Sequence, residues 1–577
     1  MPEFSPGFWN SPIRQRSTRF ACATLLAALL AACGGSDGQG SPGGPGGNPG
    51  GEAVVDTLAA FKQQTLNWQV CDPAAIEEEE RAYLAQLGER AQCALMRVPR
   101  DYDDPSSAEL QIEILKIAAS APSERRGAIV LNPGGPGADG LSLAPKLSSK
   151  LAQPEDSGAP ARLQEMSRRF DLVAFSPRGL GNHSPLECEL AETPPVGQSF
   201  HFDASDENAL KLQQAAKLFA QSCAANPLSP HIHTEATARD MDLLRGLLGE
   251  EKLNYIGYSY GTWLGTWYAG LFPDRTGRML LDSNMDITGS FDESTIAPIA
   301  AEQRIIDEVL LPHAASNPAR FGLGNDPVVL GQRLRALPAA VKSALALSWS
   351  INERDDLDRS IFAISAAFGL QDLLTKNPSA SRNDMLAQID AAPAFANSRV
   401  AAGARRLVLQ LFDHSYPVEL SRDEFVFWSV QCNDSGTALT APQWVETTRK
   451  LVESYPFVKS DLVFNPCLHW HASAKKRPAV AKIAEAGTLL MLQSEYDGLT
   501  PVEGARKTLA ALPNAHLIVV DKEYRHSLFP YGTECVDALV AYYFLESPAP
   551  AGSSICSGKA LVVDEDEDED DDDEYDA

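Results

Sequence analysis

Long hydrophobic runs are missing from this 577-residue chain. No apolar stretch approaches the about 18–20 residues that cross a bilayer, which excludes a polytopic membrane protein. No CxxC spacing occurs among its 10 Cys, so zinc sites of the finger or ribbon kind are not expected. Basic charge is in short supply: 49 Lys and Arg stand against 77 Asp and Glu, a net −28. An acidic surface repels phosphate backbones, and no nucleic-acid partner is expected. Methionine is scarce at 8 and aromatics make up only 8%, yet hydrophobic residues reach 44%, an ordinary globular proportion. Bulk disorder, collagen-like repeats and a small disulfide scaffold are thereby excluded. No nucleotide loop, flavin fingerprint or metal cluster is visible, so no cofactor and no metal are expected. The HxH at His469–His471 lacks further ligands and reads as structural.

What is present begins with a targeting segment. Arg14, Arg16 and Arg19 precede the short apolar stretch FACATLLAALLAA at 20–32. This is the pattern of a secretory signal over residues 1–32. It ends in Leu30-Ala31-Ala32-Cys33, which resembles a bacterial lipobox and makes Cys33 the expected lipidation site. Residues 34–51 hold ten Gly and three Pro, a flexible tether suited to hold a domain off a membrane. At the other end, residues 564–577 carry 12 acidic side chains and read as a solvated tail. The expected organisation is a signal (1–32), anchor and linker (33–51), core (52–290), helical cap (291–480), core again (481–563) and tail (564–577). The expected address is the cell envelope of a bacterium, periplasmic or at the cell surface, with membrane contact only through Cys33; a plain cleaved signal with an incidental Cys, giving a secreted protein, is the alternative.

Within the folded part, short apolar runs end in Gly or polar turns: GAIVL at 127–131, DLVAF at 171–175, LNYIG at 253–257, RMLL at 278–281, TLLML at 488–492 and HLIVV at 516–520. Such runs suit strands buried on both faces. Helix-like stretches such as 235–248 separate them, which predicts an α/β chain with a mostly parallel sheet. Leu110, Ile112 and Ile114 alternate with polar residues and predict a half-exposed antiparallel strand. The alternation breaks between about 290 and 480, an Ala- and Leu-rich interval read as an inserted helical lobe over the sheet.

Gly257-Tyr258-Ser259-Tyr260-Gly261 follows the LNYIG strand and opens a helix-like stretch. A GxSxG between strand and helix is a nucleophile elbow: the glycines allow a sharp turn that exposes the Ser259 hydroxyl. The Tyr260 amide then sits at a helix start, where it can hold an oxyanion. The turn Asn132–Gly137 (NPGGPG) after the GAIVL strand offers the second donor, Gly135, with Gly134 as the alternative. The acid and the His should follow in chain order. After TLLML come Glu495 and Asp497; after HLIVV come Asp521 and His526. His516 begins its strand, at the wrong edge. Ser259 is expected as nucleophile, His526 as general base then acid, and Asp497 as the orienting carboxylate, with Glu495 its competitor.

NPGGPG, FSPRGLGNHS, GYSYGTWLG and YDGLTP together resemble tripeptidyl-aminopeptidase-like serine hydrolases, relatives of prolyl aminopeptidases, from about Trp68 to Cys556. The resemblance implies an α/β-hydrolase fold with a helical cap. Two departures stand out: Ser176 where the family usually has Asp, and Asp282-Ser283 where it tends to have Asp-Gly. The family's cysteine pattern implies Cys71–Cys93, Cys188–Cys223, Cys432–Cys467 and Cys535–Cys556. Its substrate habit implies cap carboxylates that meet a free amino terminus, here Asp434 or Glu302, with Asp292 and Glu293 also near the cap entry. The expected reaction is release of short peptides or N-terminal residues from peptides through an acyl-enzyme. A carboxylesterase is the first alternative, because the same machinery serves esters. A catalytically inactive binding module is the second.

Overall fold

A computed structural model describes residues 56–73, 76–153, 158–348, 356–471, 474–546 and 551–561. The expected signal, Cys33, linker and acidic tail lie outside these. The chain divides into Met1–Thr57 and Leu58–Ala577, and the fold below is that of the second unit.

Among the described residues twelve strands occur in chain order: β1 (Gln69–Val70), β2 (Ala91–Pro99), β3 (Glu109–Ile117), β4 (Gly127–Asn132), β5 (Phe170–Phe175), β6 (Gly197–Gln198), β7 (Leu253–Tyr258), β8 (Thr276–Asp282), β9 (Ser415–Tyr416), β10 (Leu489–Ser494), β11 (Ala515–Asp521) and β12 (Gly552–Ser557). Ten of them form one sheet in the order β1-β2-β3-β5-β4-β7-β8-β10-β11-β12. The first three pairings are antiparallel, and every pairing from β5 to β12 is parallel. β4, β5 and β10 are buried at every residue, as a parallel sheet covered on both faces requires. One apolar cluster fills each face, joined by Val130, Val173 and Met279 on one side and Leu131, Ile256 and Leu492 on the other.

β3 is antiparallel as expected, but it is exposed on one face only at its start, at Glu109 and Gln111. Leu115 and Ile117 are as buried as Ile112 and Ile114, because the helix Leu143–Ala152 covers the second face through Leu147 and Leu151. β2 and β12 carry too little apolar alternation to stand out in the sequence. β12 is an edge strand whose Ile555 is exposed.

The helical insertion has a core of its own, from Ile299 to Val408 together with Phe457 and Val458. Not all of the insertion belongs to that core. The helix Arg422–Asp434 buries Phe425, Val426 and Val430 in the sheet-side cluster instead. A segment outside the insertion also joins this upper layer: β6 pairs with β9, and Asn208 of the helix Asp206–Ala224 donates to Gln198 O at 2.9 Å.

Disulfides join Cys71–Cys93, Cys188–Cys223, Cys432–Cys467 and Cys535–Cys556, the pairs that the family pattern implies. The last ties edge strand β12 to the helix Glu534–Leu545 across 21 residues. Constraining an unfolded loop of that length is worth about 3 kcal/mol. A Cys535→Ser, Cys556→Ser double variant should therefore lose about that much in urea unfolding while keeping its far-UV spectrum.

Candidate active site

The C-terminal ends of β4, β7, β8, β10 and β11 converge on one edge of the sheet, where open α/β sheets place their chemistry. Ser259 follows β7 with φ 54° and ψ −122°, a backbone region that side chains enter only under constraint. The helix Tyr260–Leu271 starts at once, and Thr262 N–H and Oγ1 both donate to Ser259 O, at 2.8 and 2.7 Å. Close approach fixes the neighbouring turn. A Cβ on Gly134 (φ 108°) would lie 2.5 Å from Tyr258 O and 3.0 Å from Ser259 Cβ. A Cβ on Gly261 would meet Asn132 Oδ1 at 2.9 Å. The Asn132–Gly137 turn thus rests directly on the elbow.

The two candidate donors in that turn separate. Gly134 N–H donates to Asn132 Oδ1 at 3.1 Å. Gly135 N–H donates to no described residue, and with the Tyr260 amide at the first position of its helix it is the donor left for a ligand oxygen.

His526 Nδ1 lies 3.0 Å from both Oδ1 and Oδ2 of Asp497. Asp497 is fully buried. Its Oδ1 accepts Leu499 N–H at 2.9 Å and Thr500 N–H at 2.8 Å; its Oδ2 accepts Thr500 Oγ1 at 3.0 Å and Gln493 Nε2 at 3.2 Å. These donors fix the carboxylate in place, and it in turn orients the imidazole, leaving Nε2 as its other nitrogen. Glu495 is engaged elsewhere, accepting Lys522 N–H at 2.8 Å. His516 meets Ser554 Oγ at 3.0 Å on the opposite side of the sheet's catalytic edge.

The two expected substrate carboxylates differ. Asp434 does not face a cleft. It is 4% exposed, and it accepts Thr234 N–H at 2.9 Å, Thr234 Oγ1 at 2.5 Å and Trp263 Nε1 at 3.2 Å. Burial pushes it up to about 7. Thr234 Oγ1 also meets Tyr260 OH at 2.6 Å, so Asp434 braces the first turn of the elbow helix rather than greeting substrate. Glu302 is half-buried on the helix Phe291–Ile305. On that helix Asp292 is buried and accepts Thr437 Oγ1 and Ala438 N–H, both at 2.9 Å, and Glu293 forms a capping box with Ser290.

The sequence reading missed two features. The first is the cover on the Asn132–Gly137 turn. A Cβ on Gly137 would lie 2.5 Å from Asp423 O, so the start of the helix Arg422–Asp434 packs on that turn. Glu424 in its first turn is half-buried, and burial followed by the Glu419 charge pushes it up to about 7. Phe427 and Trp428 stand edge to face beside it, ring centroids 5.3 Å apart. The second feature is the Asp282–Asn284 turn after β8. Asp282 is fully buried. It accepts Leu528 N–H at 2.9 Å and Phe529 N–H at 2.6 Å. Of the two departures from the family pattern, Ser176 gives its hydroxyl to Asp139 (2.6 and 2.8 Å), and Ser283 sits at φ 59°, where Gly would be unstrained.

A cleft of about 600 Å³ opens at the other edge of the sheet, among Arg126, Asn254, Thr276 and Arg278. There Arg126 and Arg278 donate to the carbonyls of Leu545 and Phe544, so both arginines cap a helix end. Among the described residues no group of three or more His, Cys, Asp or Glu is placed to hold a metal ion.

A family model described as "alpha/beta hydrolase fold" matches residues 127–358, and one described as "TAP-like protein" matches 455–556. The chain has the α/β-hydrolase fold. It is 28% identical over 575 residues to a tripeptidyl aminopeptidase of Streptomyces lividans, covering 96% of this chain and 99% of that one. Carboxylesterase B of Mycobacterium tuberculosis is also 28% identical, over 83% of this chain and 89% of its own. Serine protease Hip1 of the same organism is 25% identical, over 81% of this chain and 87% of its own.

Because Gly134 touches the elbow backbone, Gly134→Ala must displace either the turn or Ser259. It should cost about 1–3 kcal/mol of stability. Loss of one aligned oxyanion donor should lower kcat about a hundredfold or more. Steady-state kinetics alongside thermal melting would check both.

Proposed function

We propose that this hydrolase is an exported serine aminopeptidase that releases short peptides, or single N-terminal residues, from peptides. The observation that carries the reading is the buried Asp497 paired with His526 at 3.0 Å, on the same sheet edge as the strained Ser259 turn. Ser259 Oγ attacks the substrate carbonyl carbon while His526 Nε2 takes its proton. The Gly135 and Tyr260 amides hold the oxyanion that forms. Collapse breaks the C–N bond, and the proton on His526 goes to the leaving amine. Water, deprotonated by His526, then releases the acyl group from Ser259 and restores the hydroxyl.

The substrate's amino terminus needs a carboxylate near the oxyanion turn. Asp434 is sealed into the elbow, which leaves Glu302 on the cap helix and Glu424 on the helix that covers the turn. Both are half-buried, but Glu424 suits the task better: its helix packs on the Asn132–Gly137 turn, and Phe427 and Trp428 beside it offer an apolar wall. Export is supported by four disulfides, which persist in oxidising compartments. Anchoring through a lipid on Cys33 is part of the same proposal. The carboxylesterase reading stays second, and the equal identity to carboxylesterase B favours it.

The deciding assay compares X-p-nitroanilides, free and acetyl-blocked at the amino terminus, with p-nitrophenyl esters of varied chain length. Cleavage of free but not blocked peptides is the expected result. Rapid ester turnover without amide cleavage would replace the peptidase with an esterase. Ser259→Ala should keep the fold, lose labelling by a serine-directed phosphonate and lose turnover by about a thousandfold or more. Glu424→Gln should raise KM for free-terminus peptides about tenfold and leave ester hydrolysis unchanged; an unchanged peptide KM would return the role to Glu302.

A further inference from the structure

The Asp282–Asn284 turn is bonded to the segments that carry Ser259, Asp497 and His526. Its backbone carbonyl at Asp282 accepts Ser259 N–H at 2.9 Å. Its carboxylate accepts Leu528 and Phe529 N–H, and Ser283 Oγ accepts Ser527 N–H at 2.8 Å, so three consecutive amides after His526 are held. Asn284 N–H donates to Gln493 Oε1 at 2.7 Å, and the same Gln493 donates from Nε2 to Asp497. Resting on the Ser259–Asp497–His526 reading, we propose that Asp282 is a positioning residue: its buried carboxylate clamps the loop that carries His526 and keeps a negative charge close to the imidazolium formed during turnover.

A purely structural staple is the alternative, and the energetics separate the two. Burial raises the Asp282 carboxyl to about 6, so its charged form is disfavoured in the fold. A raised acid contributes stability that is present at low pH and lost as pH rises through the folded value. Above about pH 6 the charge is therefore a cost to folding, and removing it should not destabilise the protein. A group kept charged at that cost makes sense if turnover needs the charge. The titratable groups facing it among the described residues are His526, whose charge favours the carboxylate, and Tyr258 of β7, whose hydroxyl donates to Phe529 O at 2.8 Å. Asp497 is reached through Gln493.

Asp282→Asn keeps the shape and an acceptor oxygen and removes the charge. Wild type and variant would be compared as full chains, with kcat and KM for p-nitrophenyl butyrate from acid to mild alkali, melting temperature, and phosphonate labelling of Ser259. The expected variant melts at the same or a higher temperature at pH 8. Its kcat falls about tenfold or more with KM within about twofold. The wild-type acid limb of kcat/KM should be steeper than one proton allows, and the variant limb should show one. A variant kcat within about twofold of wild type overturns the inference, as does a loss of kcat that tracks a lowered melting temperature. Should the variant fail to fold, the wild-type acid limb still decides: a one-proton slope overturns the inference. A wild type that takes no phosphonate label removes the triad reading as well, whereas a labelled Ser259 beside an indifferent Asp282→Asn removes this inference alone.

Discussion

A serine held at φ 54° and ψ −122° costs about 1–3 kcal/mol, and it persists only where its surroundings over-determine it. At Ser259 they do so from three directions. β8 takes its amide through Asp282 O, the following helix takes its carbonyl through Thr262, and the Asn132–Gly137 turn presses on it from below through Gly134. Each of these contacts dictates a residue elsewhere. Gly134 and Gly261 must lack side chains, Thr262 must be small with a hydroxyl, and β8 must end beside β7. The sheet order β4-β7-β8-β10 is therefore the frame that keeps the elbow in its strained shape.

The same edge gathers buried carboxylates, which is costly unless each is given donors. Asp497 receives four besides His526, Asp434 three, and Asp282 two amides with a weaker hydroxyl contact from Ser283 at 3.3 Å. The three differ in what those donors belong to. Asp497 is served by its own loop and by Gln493, so its orientation toward His526 is built locally. Asp434 spans from the cap-side helix to the elbow helix, so it reports on whether those two elements are seated. Asp282 is served chiefly by the His526 loop, with only the long Ser283 contact supplied locally. Its placement is where the nucleophile strand and the general base become one rigid object.

The parallel strands, and the placing of Ser259, Asp497 and His526 at one sheet edge, were legible because each is a local pattern: an apolar run, then a turn, then a polar residue. Ser259, Asp497 and His526 each fall within a few residues of such a run. Asp282 follows a run too, but a strand-end aspartate is an ordinary turn residue, and only tertiary contacts reveal the Leu528 and Phe529 amides it holds. Asp434 illustrates the opposite error. An acid near a cap cysteine suggested a substrate contact, and no local signal announced that Thr234 and Trp263, about 200 and 171 residues away, would seal it. The pairing of β6 with β9, and the docking of the Arg422–Asp434 helix on the sheet rather than in the cap core, were hidden for the same reason: long-range pairing of short segments leaves no periodicity to read.

Disulfides and site geometry are linked through that same helix. Its first turn lies on the oxyanion turn at Gly137, and its last turn carries Cys432, bonded to Cys467, next to Asp434, bonded to the elbow. Asn433 between them donates to Ser229 O and Ile232 O at 2.8 and 2.9 Å. The helix is thus pinned at its far end by one covalent bond and several buried polar ones, and at its near end by Arg422, which donates to Leu180 O at 2.8 Å and pairs with Glu187 at 3.0 Å. Reduction of Cys432–Cys467 would free the segment 466–469 from the helix and slacken the end that braces the elbow. An oxidising compartment accordingly does more than stabilise the fold. It keeps the helix that covers the Asn132–Gly137 turn in register with Ser259, and this couples the oxidation of Cys432–Cys467 to whether the candidate site is assembled.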